Sequence, residues 1–207
     1  MFPLNLPNVL TVLRILLVPV LVAALLVETP NGDTIAAIVF ALAAITDGLD
    51  GYIARSRRTI TTFGKVMDPI ADKLLIAAAL IALVDKNRVA AWVAMVIIAR
   101  EFAVSSLRVY AAAEGAIIPA SILGKLKTVT QVAAVMALIA APNADATWVQ
   151  ALVYLTVVAT VVSGVDYFLN VRREIDQARE TLRAQRARSA VTDGSRSSSS
   201  SREVPRT

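Results

Sequence analysis

Six long apolar runs, at residues 9–27, 34–53, 69–84, 89–107, 125–141 and 147–169, constrain this chain more than any other feature. A helix needs about 17–25 such residues to cross a bilayer. Backbone in lipid must satisfy its own hydrogen bonds, and a helix does this within one segment. The expected fold class is therefore all-α, a polytopic membrane protein with six transmembrane helices. With 57% hydrophobic and 18% charged residues, the chain has too little polar surface for a soluble domain of 207 residues. The first run has no basic leader and Arg14 interrupts it, so it reads as a span rather than a cleaved signal.

The placement of basic residues orients the spans. Arg55, Arg57, Arg58 and Lys65 lie between runs two and three, and Arg100, Arg108, Lys125 and Lys127 lie around runs four and five. Residues 170–207 add nine arginines against five acids. The opposite side has only Lys86 and Arg88, since 28–33 and 142–147 contain no basic residue. Basic residues stay on the cytoplasmic side, so both termini and the 54–68 loop are expected there. The net +5 sits mostly in the tail, which suits anionic lipid headgroups rather than nucleic acid. The expected organisation is a membrane domain over 1–170, a basic surface helix over 171–190 and a disordered Ser/Arg tail over 191–207. Glu180 and Arg183, at i,i+3 spacing, support the surface helix. The Ser-rich end has the low complexity of a solvated segment. Trp92 and Trp148 read as interfacial anchors.

Cysteine and histidine are both absent. That excludes a disulfide, a thiol nucleophile, a Cys/His zinc site and a Ser-His pair. A general base must then be a carboxylate, a lysine or a tyrosine.

Within "TDGLDGYIARSRRTITTFGKVMDPIADKLL" (46–75), Asp47, Asp50, Asp68 and Asp72 stand where a membrane chain least tolerates charge. A charge at the centre of a span costs about 2.5–3.5 kcal/mol on insertion scales and usually marks function. Asp47 and Asp50 are three apart and Asp68 and Asp72 four apart, so each pair shares a helix face. Asp47 precedes Arg55 by eight residues, roughly 12 Å of helix. The carboxylates can thus lie inside the cytoplasmic leaflet with the arginines at its surface.

Facing carboxylates repel at low dielectric unless cations separate them. Oxygen-only ligands suit Mg2+ or Mn2+, and two such ions could clamp a pyrophosphate. Two other readings stay open: ion pairing with Arg55, Arg57, Arg58, Lys65 and Lys73, or an ion pathway of a transporter, whose charges more often scatter over several spans. Gly48, Gly51 and Gly64 each cost a helix about 1 kcal/mol relative to alanine. Gly51 and Ala54 either let a flat base or a phosphate approach the backbone or simply permit close helix packing.

The fixed positions Asp47, Asp50, Gly51, Ala54, Arg55, Gly64, Asp68 and Asp72 match the signature D-x2-D-G-x2-A-R-x8-G-x3-D-x3-D at every spacing. The chain resembles the CDP-alcohol phosphatidyltransferase family over about residues 5–170. The stretches PNVLTVLR (7–14), DPIADK (68–73), AREFAVSSLR (99–108) and GKLKT (124–128) are most similar to bacterial members that use glycerol 3-phosphate. The resemblance implies transfer of a phosphatidyl group from CDP-diacylglycerol to sn-glycerol 3-phosphate with release of CMP. Members that accept phosphatidylglycerol share the same aspartates. By position, Asp47, Asp50, Asp68 and Asp72 would hold two Mg2+ or Mn2+ ions, with Asp72 also the catalytic base. Asn8, Thr11, Gly51, Ala54, Arg55, Thr61 and Gly64 would surround CDP-diacylglycerol. The acceptor is a dianion and needs cations, and Arg100, Arg108, Lys125 and Lys127 are the candidates. Anchoring at the membrane surface by snorkelling is the competing reading for each. Glu101 and Arg108, seven apart on one face, could pair. A homodimer is expected by analogy with the family.

Overall fold

The computed structural model describes the backbone of residues 6–27, 29–57, 62–114 and 122–200, with side chains in these segments except 6–8, 47–57, 62–66, 68–69, 177–179 and 181–200. The described backbone forms six helices: α1 Leu6–Leu26, α2 Gly32–Arg57, α3 Thr62–Asp85, α4 Ala91–Ala113, α5 Ile122–Ala140 and α6 Thr147–Ser200. Each overlaps one expected run, with α3 beginning earlier and α6 ending much later than its run. Among the described residues three stretches are long and apolar enough to cross a membrane, Val9–Leu26, Ile122–Ala140 and Thr147–Asp176, and α2 has a shorter apolar stretch, Gly32–Thr46. In α4 the charges Arg100, Glu101 and Arg108 interrupt the apolar run, while the aspartate-bearing parts of α2 and α3 lie largely outside the described side chains. The last helix continues through the Ser-rich segment as far as Ser200.

The chain forms two compact units, Met1–Phe102 with Ser121–Gly164, and Ala103–Ala120 with Val165–Thr207. In the first, α1 packs on α2 and α3, and α5 packs on the same two helices. Leu21, Leu25, Phe40, Leu80, Leu83, Val135, Leu138, Ile139 and Val149 are its most buried large apolar side chains. Small residues let these helices approach: Ala36, Ala43 and Ala79 are wholly buried among them. Gly32 serves the same end at the α1–α2 turn. A Cβ there would stand 2.8 Å from the Ala24 carbonyl oxygen. Many large apolar residues stay outward, such as Leu16, Ile38, Met95, Val129 and Val158, the pattern expected of sides that would face lipid.

The α3–α4 turn is built with particular care. Asn87 has a positive φ of 56°, a left-handed conformation that asparagine tolerates. The Arg88 N–H donates to the Leu83 carbonyl at 2.9 Å and the Asn87 N–H to that of Val84 at 2.9 Å, a Schellman end to α3. This turn aims two cations at one carboxylate. The Lys86 ammonium donates to Asp33 Oδ1 at 2.7 Å, and the Arg88 guanidinium pairs with Asp33 Oδ2. Arg88 Nη1 also donates to the carbonyls of Leu138 (3.0 Å) and Ile139 (2.8 Å), closing orphan acceptors at the end of α5. Burial alone would raise the Asp33 pKa, but Lys86 and Arg88 outweigh it and hold the carboxyl below its ordinary 3.8. The two basic residues of the α3–α4 turn thus form a clamp joining α2, α3 and α5.

In the second unit, Val104, Ala111, Tyr167, Val171 and Ile175 form a small core. The Arg108 guanidinium carbon lies 5.7 Å from the centre of the Tyr167 ring, within cation–π range.

Candidate active-site cleft

Helical register sets out the carboxylates. Asp47 and Asp50 lie one turn apart on α2, and Asp68 and Asp72 one turn apart on α3. The two helices pack against each other within one unit. The side chains of Asn8, Asp47, Asp50, Gly51, Ala54, Arg55, Gly64 and Asp68, and the whole of Thr61, lie outside the described residues. Asp72 is described, and it borders a cleft.

That cleft, about 40 Å3 in volume, is lined by Asp72, Lys73 and Ile76 of α3, Glu101 of α4, and Lys127, Thr128, Gln131 and Val132 of α5. The spacing on α5 explains why its polar groups converge. Lys127 and Gln131 are one turn apart, so one face carries both. Lys127 is only 3% exposed, which is incompatible with snorkelling to a surface. Its ammonium is instead paired with Glu101 Oε1, and Arg100 Nη1 stands 4.0 Å from that same oxygen. A buried ammonium needs such a partner, because an unpaired charge away from water is very costly. Among the described residues the cleft therefore holds Asp72 and Glu101 as acids and Lys73 and Lys127 as bases.

Arg100 is fixed from its other side. Its Nη2 donates to Ser163 Oγ at 3.1 Å, and Ser163 Oγ donates to the Thr160 carbonyl at 3.2 Å. Gly164 gives the guanidinium stem its room, since a Cβ there would lie 3.3 Å from Arg100 Cγ. Of the four basic candidates for an acceptor, the structure brings Lys127 into the cleft with Asp72 and seats Arg100 beside Glu101. Lys125 is exposed on α5, and Arg108 lies over Tyr167 in the second unit. Glu101 pairs with Lys127 of α5.

Gln131, Ser163 and Gly164 carry no sequence pattern of their own, and the spacing of Glu101 offers Arg108 as a possible partner without pointing to Lys127 on another helix. Arg14 was seen only as a break in an apolar run, yet it is 1% exposed, with Thr11 at 0% one turn before it. A lone arginine in a lipid-like stretch was the available signal that α1 is more than an anchor.

Among the described residues no group of three carboxylates stands ready for a metal. Of the four aspartates Asp72 is the one with a described side chain, and it stands partly exposed at the cleft, an oxygen donor of the kind a hard divalent cation takes.

A family model described as CDP-alcohol phosphatidyltransferase matches residues 4–162. The CDP-diacylglycerol–glycerol-3-phosphate 3-phosphatidyltransferase of Bacillus subtilis (strain 168) is 42% identical over 186 residues, covering 79% of this chain and 93% of its own. The protein of the same name from Rickettsia felis is 40% identical over 167 residues, covering 81% and 90%.

Proposed function

The chain belongs to the CDP-alcohol phosphatidyltransferase family, and from that premise we propose that it transfers the phosphatidyl group of CDP-diacylglycerol to sn-glycerol 3-phosphate. The products are phosphatidylglycerophosphate and CMP. The observation that carries this reading is the meeting of Asp72 and Lys127 in one cleft, supported by relatives named for that reaction.

The chemistry follows from the residues. Lys127, with Arg100 behind Glu101, supplies positive charge for the acceptor's phosphate. Asp72 takes the proton from an acceptor hydroxyl, the role left to a carboxylate in a chain without histidine. That hydroxyl oxygen forms a bond to the diacylglycerol-bearing phosphorus as the bond from phosphorus to the CMP oxygen breaks, and CMP leaves with the electron pair. Asp47, Asp50, Asp68 and Asp72 would hold two Mg2+ or Mn2+ ions, whose chemistry is to neutralise and orient a pyrophosphate. Asn8, Thr11, Gly51, Ala54, Arg55, Thr61 and Gly64 would surround the CDP portion, and Lys125 and Arg108 remain candidate contacts for the acceptor.

The same reading has six helices crossing a bacterial plasma membrane, the termini and the cleft facing the cytoplasm, and two copies forming a homodimer. The lopsided distribution of Lys and Arg supports the orientation. The dimer rests on family analogy.

The test is CMP release by purified protein given CDP-diacylglycerol and Mg2+, with glycerol 3-phosphate, phosphatidylglycerol, inositol phosphate, serine or no acceptor in parallel. Release with glycerol 3-phosphate alone, lost on chelation, is expected. Release with another acceptor would overturn the substrate, and silence with all of them would favour transport.

A further inference from the structure

Gln131 is 4% exposed, and its Oε1 has no hydrogen-bond partner among the described residues. A buried amide oxygen left unsatisfied is costly, so its retention calls for an explanation. The residue stands at a boundary. On one side is the cleft with Asp72, Glu101 and Lys127. On the other is an apolar space lined by Leu80, Val93, Ile97 and Leu138 among others. That second space has no described polar group besides Gln131 and Thr156, and the Thr156 hydroxyl is already bound to the Thr130 carbonyl at 2.9 Å. Among the described residues nothing on the apolar side can complete Gln131, and the cleft is the side from which a donor can reach it.

On α5, Gln131 follows Lys127 by one turn, about 6 Å of axial rise. A ligand whose phosphate meets Lys127 therefore extends toward Gln131 within the length of a three-carbon chain. Such an acceptor carries two hydroxyls. One reacts beside Asp72, and the other is a donor without a partner. We propose that Gln131 is a specificity-determining residue whose carbonyl accepts a hydrogen bond from the non-reacting hydroxyl of the acceptor, selecting a phosphorylated vicinal diol over a phosphorylated simple alcohol. The inference rests on the acceptor site proposed above. It goes beyond that site by assigning the contact that reads the polyol rather than the phosphate. A site built to hydrogen-bond a hydroxyl rejects the analogue lacking it more strongly than an apolar pocket rejects a methylene.

The experiment compares glycerol 3-phosphate with 3-hydroxypropyl phosphate, which lacks the middle hydroxyl, in the full-length protein and in Gln131→Met. Methionine keeps the length and removes the amide, so the thermal midpoint should be unchanged or raised. The unaltered protein should prefer glycerol 3-phosphate by at least tenfold in kcat/KM. Gln131→Met should lose that preference by falling on glycerol 3-phosphate while holding its rate on the analogue. An equal fall on both substrates, or an unchanged preference, would overturn the inference and leave the acceptor reading standing. If the unaltered protein turns over neither acceptor, the acceptor reading itself fails.

Discussion

Lys127 and Glu101 are the residues on which the acceptor site turns. An ammonium 3% exposed is costly to leave without a counter-ion, and Glu101 stands against it. Lys127→Met should raise KM for glycerol 3-phosphate by about tenfold or more, the scale of one charge-assisted hydrogen bond, with KM for CDP-diacylglycerol unmoved. Glu101→Gln should also raise the acceptor KM, yet add nothing in the Lys127→Met background, because it acts through that ammonium. Additive effects measured by steady-state kinetics on the four proteins would contradict this. Asp72→Asn should abolish turnover while leaving CDP-diacylglycerol binding largely intact, as removal of a base does. Unchanged turnover would refute the assignment. At Gly164, a valine would press further on Arg100 than the 3.3 Å already implied for a Cβ, so Gly164→Val should weaken acceptor binding without touching a charge.

At the scale of elements, the apolar runs foretold six helices and their order, while α3 begins at Thr62, ahead of its run, and α6 continues to Ser200, far past residue 169, since an apolar pattern does not mark where a polar helical extension starts or stops. The aspartate register was equally legible, since spacing alone fixes which residues share a face. What stayed hidden depends on which helices meet. Lys86 and Arg88 were legible as charges on one side but not as a clamp on Asp33 and the end of α5, and Glu101 could not be paired with a residue of another helix from its own spacing. The clamp has a pH signature. The folded-state pKa of Asp33 lies below its ordinary 3.8, so its contribution is present above the unfolded value and is lost as pH falls through the folded one. The thermal midpoint should therefore drop in acid below about pH 4. Asp33→Asn should lower the midpoint at neutral pH and flatten that dependence. A midpoint equal to that of the unaltered protein at pH 7 would show that the clamp contributes nothing.

For the molecule as a whole, the absence of cysteine makes topology directly measurable. Single cysteines at Asn31 and Asn143 should react with an impermeant thiol reagent on intact cells, and one at Arg58 only after lysis. Labelling of Arg58 from outside would reverse the orientation and put the cleft on the wrong side for a nucleotide-linked donor. The central claim is that the aspartate helices and the cationic cleft act together to move a phosphatidyl group onto a phosphorylated polyol. The direct test follows radiolabelled glycerol 3-phosphate into lipid with purified protein, CDP-diacylglycerol and Mg2+, counting CMP in the same reaction. One labelled lipid formed per CMP released is the predicted result. CMP without labelled lipid would make the protein a hydrolase, and labelled glycerol 3-phosphate crossing sealed vesicles with no CMP would make it a carrier; either contradicts the account.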